Sequence, residues 1–138
     1  MRKLLLSVIV VALSIVATAQ VNLSYYLPDD VSYDSSIPTP KEVLGYEVGE
    51  WHVSHDQMIY YMRAIAEASD RAILVEHARS YENRPLVQLI FTSPENHANL
   101  EEIRQEHVNL TYPDRADEVD MDEVKTILWM GYAVHGNE

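Results

Sequence analysis

Cysteine is absent from all 138 residues, so neither a disulfide nor a lipid-modified cysteine can form. Basic side chains are scarce: 10 Lys and Arg stand against 22 Asp and Glu, giving a formal net charge of −12. Such a surface repels phosphate backbones, which disfavours nucleic acid as a partner. The excess carboxylates need not mark a binding site, since they more often serve solubility. A membrane-length hydrophobic run is missing too. The apolar stretch at 4–16 falls short of the roughly 20 residues that a helix needs to cross a bilayer.

What that stretch does have is the dress of an export signal. Arg2 and Lys3 precede it, and Ala17-Thr18-Ala19 follows as a small-x-small cleavage site. Residues 1–19 are therefore expected to be a secretory signal peptide, with a retained anchor as the weaker alternative. Cleavage before Gln20 would leave a secreted or periplasmic chain with no membrane contact, more acidic by the two positive charges lost. One domain is the most that this length normally supplies.

Residues 20–50 show no sustained periodicity and carry Pro28, Asp29, Asp30, Ser35, Ser36, Pro38 and Pro40, which favour turns and extended backbone over a long helix. They read as an N-terminal arm wrapping onto the rest. Tyr25, Tyr26, Tyr33 and Tyr46 are its expected points of attachment, packed into a core in preference to stacking on a ligand.

From residue 51 the signals sharpen. The tetrad S-H-D-Q at 54–57 has the form of a capping box, and Met58, Tyr61, Met62, Ile65 and Ala66 then recur at helical spacing. A second helix is expected to open at Ser93-Pro94-Glu95, where serine caps, proline occupies the first turn and a carboxylate meets the positive end of the dipole. Its weaker stripe is Leu100, Ile103, Val108 and Leu110, and it ends before Pro113. Two extended segments, 73–80 and 86–92, lie between the helices and would pair as a hairpin. Asn83 tolerates left-handed backbone, so the reversal is placed there.

The run at 125–134 is apolar at odd and even positions alike, the pattern of a strand covered on both faces inside a sheet. A central strand needs hydrogen-bonding neighbours on both sides, and one hairpin cannot supply them. The alternative is a small three-stranded α+β domain. His135 and Glu138 follow on the turn after this run. Residues i and i+3 of a turn approach within about 7 Å at Cα, so both side chains can face one ion. An imidazole nitrogen and a carboxylate oxygen suit zinc at about 2 Å. The bare H-x-x-E pattern is weak, and its place after a strand carries the weight. The other histidines, 52, 55, 77, 97 and 107, are expected to be polar surface or capping residues. His52 and His55 form the only other close pair.

Two stretches carry a resemblance. A-R-S-Y-E-N-R-P-L at 78–86 resembles the hairpin signature of the M14 zinc carboxypeptidases, of the form G-x-S-x-E-G-R-x-L, with Ala78 and Asn83 where glycine is usual. W-M-G-Y-A-V-H-G-N-E at 129–138 is similar to the family's strand followed by H-G-x-E, its first zinc motif. The likeness runs over 51–138, and I-P-T-P-K-E-V-L at 37–44 resembles the arm of secreted bacterial members. The resemblance implies an α/β fold, a mixed sheet flanked by helices, of which this chain holds the first hairpin, two helices and one central strand. Residues 51–138 would then be the front part of a larger catalytic domain.

It further implies Zn²⁺ as cofactor, a peptide as substrate, and His135 and Glu138 as the first two metal ligands. The third ligand, the general-base glutamate and the substrate-binding arginines would lie past Glu138. Cleavage at or near peptide C-termini is the implied activity, with the 138 residues inactive alone. Two alternatives stand beside it. One is a same-fold zinc amidohydrolase acting on acylated amino acids or amidated peptides, and the other a non-enzymatic secreted binding module. An uncovered 126–134 strand would also make the chain prone to aggregate.

Overall fold

The computed structural model describes residues 23–132. The expected signal peptide, 1–19, lies outside them. A 3-10 turn at Leu23–Tyr25 comes first, followed by helices α1 (Pro40–Leu44) and α2 (His55–Ala68). Strands β1 (Ala72–Arg79) and β2 (Pro85–Phe91) follow, then helices α3 (Pro94–Ala98), α4 (Leu100–Leu110) and α5 (Pro113–Ala116). Helix and strand are mixed, as an α/β chain requires, and the sheet seen among the described residues is the pair β1–β2. The chain divides into two compact units, Met1–Ile90 and Phe91–Glu138.

In the first unit, α2 begins where the capping box places it. The Ser54 hydroxyl accepts from the Gln57 amide at 3.4 Å, and the Ser54 amide donates to Gln57 Oε1 at 3.0 Å. Two of the otherwise orphaned groups of the helix start are thereby satisfied. The helix touches both α1 and β1. That double contact widens the covered arc beyond the expected stripe: Met58, Tyr61, Met62, Ile65 and Ala66 are half-buried, whereas Ile59, off that stripe, is buried at 4% exposure. Ala72, at the start of β1, is the other buried apolar residue among those described.

The arm is tied down, but not by most of the tyrosines expected. Tyr25, Tyr26 and Tyr33 are exposed, Tyr25 and Tyr26 meeting each other edge-on with ring centroids 5.0 Å apart. Tyr33 donates to the Pro28 carbonyl at 3.3 Å, five residues away. The contacts these three make among the described residues are local, within the arm itself. Tyr46 does reach the helix, its hydroxyl 3.2 Å from Gln57 Oε1, and Tyr61 on α2 donates to the Pro38 carbonyl at 3.1 Å. Burial, with Glu42's charge adding to it, raises the Tyr61 phenol above its ordinary pKa.

Helix α1 is not expected from the arm's composition, although its signal is present in T-P-K-E at 39–42. The Thr39 amide donates to Glu42 Oε2 at 2.7 Å, the Glu42 amide donates to the Thr39 hydroxyl at 3.3 Å, and Pro40 fills the first turn. Gly45 ends it at φ 87°, its amide donating to the Lys41 carbonyl at 2.9 Å. The bonds from the Thr39 backbone and then its side chain lower the Glu42 pKa. A depressed carboxyl contributes stability above its unfolded value and loses it as pH falls through the folded one. Protection of the amides at 42–45, taken relative to the intrinsic exchange rate at each pH, is therefore expected to fall as pH drops below the ordinary glutamate value of 4.5. Glu42→Gln should remove that pH dependence; an unchanged profile in the variant would show that the box does not titrate.

In the second unit the single helix expected from Ser93 is two. Ser93 caps α3, its hydroxyl accepting from the Asn96 amide at 3.2 Å, but Asn99 leaves helical geometry at φ −113°, ψ 17°. Its side-chain nitrogen donates to the Glu95 carbonyl at 3.1 Å, and its amide to the Asn96 carbonyl at 3.1 Å. Asparagine competes with the helical ladder in this way because its amide can bond nearby backbone. Helix α4 then runs to Leu110 and contacts α5.

The largest departure concerns 125–134. Its described part, 125–132, has no strand pairing, and Ile127, Leu128, Trp129, Met130 and Tyr132 are exposed, Leu128 at 83%. The central strand is not formed there. Apolar side chains alone cannot make one, because the ladder requires donors and acceptors on neighbouring strands.

Candidate functional site

His135 and Glu138, the two metal-ligand candidates, lie outside the described residues, as do residues 133 and 134 of the preceding run. As a donor set they offer one imidazole and one carboxylate, which fits zinc but is one protein ligand short of a catalytic site. No group of three or more His, Cys, Asp or Glu positioned to hold a metal occurs among the described residues.

The hairpin motif is fully described, and each of its polar residues has a local task. Ser80, Tyr81, Glu82 and Asn83 close a turn through the Asn83 amide and Ser80 carbonyl at 2.9 Å. The Ser80 amide donates to the Arg84 carbonyl at 2.9 Å, and the Ser80 hydroxyl accepts from the Arg84 amide at 3.2 Å. Asn83 sits at φ 61°, the lone positive φ outside glycine among the described residues. Arg79 donates to the Asn83 carbonyl at 3.0 Å and pairs with Glu76 at 2.7 Å, while Arg84 pairs with Glu82 at 2.9 Å. These pairs are solvent-exposed and contribute little individually. The left-handed residue is what the turn cannot do without.

That geometry gives a sharp expectation. Asn83→Gly should keep the hairpin with stability equal or slightly raised, whereas Asn83→Val should cost about 1–2 kcal/mol, because a branched side chain clashes in left-handed backbone. Thermal unfolding of both variants checks it. Equal melting temperatures would show that the turn has no such requirement.

The remaining histidines divide by their neighbours. His55, on the first turn of α2, places Nε2 3.0 Å from the Pro85 carbonyl and so ties the helix start to β2; its Nδ1 is 3.7 Å from an Asp56 oxygen. His52 and His77 are exposed. Of the 52/55 pair, His55 thus has a structural contact through Nε2, while its Nδ1 is buried without a hydrogen-bond partner. His107 places Nε2 2.7 Å from the Lys125 carbonyl, holding the start of the exposed apolar segment against α4. Both ring nitrogens of His97 are buried without a hydrogen-bond partner.

A shallow cleft in the second unit, about 230 Å³, is not among the expected sites. Glu95, Glu102, Glu106, Glu123 and Lys125 bring its charges, with Asn96, Asn99 and Ile103 between them. Its readable signal is spacing: 95, 99, 102 and 106 recur at three or four residues and share one helical face across the Asn99 break. The neighbouring Glu101 points elsewhere and binds Arg104 through two bonds, one of 2.8 Å, which lower the carboxyl's pKa. The cleft is acidic, which suits repulsion of anions.

No protein-family model, no curated protein and no solved structure matches the chain.

Proposed function

We propose that the chain is the front part of an exported zinc carboxypeptidase of the M14 type, hydrolysing peptide bonds at or near substrate C-termini. The observation that carries this reading is the hairpin. In a signature of the form G-x-S-x-E-G-R-x-L, the second glycine falls at Asn83, the left-handed position, and Ser80, Glu82 and Arg84 are the residues that close and brace the turn. Asparagine is the substitution for glycine that this backbone best accepts. A second support is the uncovered run at 127–132, whose side chains suit an interior strand with neighbours elsewhere in a longer protein.

In that protein His135 and Glu138 would hold the ion, with the third histidine, the general base and the substrate-gripping arginines supplied from beyond Glu138. A bound zinc would bring the pKa of its water close to neutrality and polarise the scissile carbonyl. The 138 residues alone, with two ligands, should bind zinc weakly and hydrolyse nothing.

The test is the protein translated from the gene with whatever follows Glu138 included. It is expected to bind about one zinc per chain, closing a three-ligand site, and to release C-terminal residues from peptides. His135→Ala should weaken zinc binding by more than the roughly 10–100-fold that outer-shell changes cost. A reading frame that stops directly after Glu138, or a longer protein that neither binds zinc nor cleaves peptides, overturns the proposal.

A further inference from the structure

We draw no further inference here: the strongest candidate, the exposed apolar surface patch at 127–132 in the second unit, carries nothing further, because nothing among the described residues shows what covers it.

Discussion

Ile59→Ala is expected to lower stability by about 2–4 kcal/mol, the cost of removing a buried aliphatic side chain and leaving a partly collapsed cavity. Ile59 is the residue to test because only it and Ala72 are buried apolar residues among those described, and Ala72 has only a methyl group to remove. Small domains hold only about 5–15 kcal/mol in total, so the substitution takes a large share. Urea unfolding followed by circular dichroism would show the midpoint fall. Ile59→Val, losing one methylene, should cost about 0.5–1.5 kcal/mol. The graded pair separates a packing loss from a general disturbance of α2. If both variants melt with the parent, the helix is not held through Ile59.

The second large effect concerns association, and it has opposite signs in two settings. Leu128 and Met130 are exposed at 83% and 63%. Replacing both with lysine in the 138-residue chain should leave the unfolding midpoint nearly unchanged, since substitutions at such positions usually stay within about 0.5 kcal/mol. It should also suppress aggregation, because the uncharged window 126–134 has the β-propensity and neutrality of an aggregation-prone segment and a charge breaks that pattern. Light scattering on the two chains measures this. In the proposed longer protein, the same pair of lysines would sit in an interior strand and carry unpaired charge into the core, at a cost of several kcal/mol. A double variant that unfolds the 138-residue chain, or one that the longer protein tolerates, would contradict that account.

Local chemistry was legible where a short stretch specifies its own bonds. Ser54 and Gln57 satisfy each other within one turn, so the start of α2 follows from four letters. Both strands begin and end within a residue of their expected bounds, because the Asn83 reversal fixes their register. The same rule was available for α1 in Thr39-Pro40-Lys41-Glu42, but the surrounding prolines hid it. Asn99 shows the limit: a residue that serves a helix interior weakly and a boundary well stays ambiguous until its side chain finds the Glu95 carbonyl.

The arm's attachments were less legible because a tyrosine's hydrophobicity does not say what lies within its reach. Tyr46 and Tyr61 bridge segments 11 and 23 residues apart, whereas Tyr33 reaches only five. The candidate site divides the same way. The hairpin signature could be read residue by residue, while the acidic cleft required Glu123 and Lys125 to return beside α3 and α4.

By itself the sequence determined the caps, the hairpin and the acidic charge, because each depends on residues within a few positions of one another or on composition alone. Only the tertiary structure decided that Ile59 would be the buried residue of α2, since burial depends on how many neighbours a helix meets. It alone decided that the run from 125 to 132 stays unpaired, because a strand is a relation between segments and not a property of one.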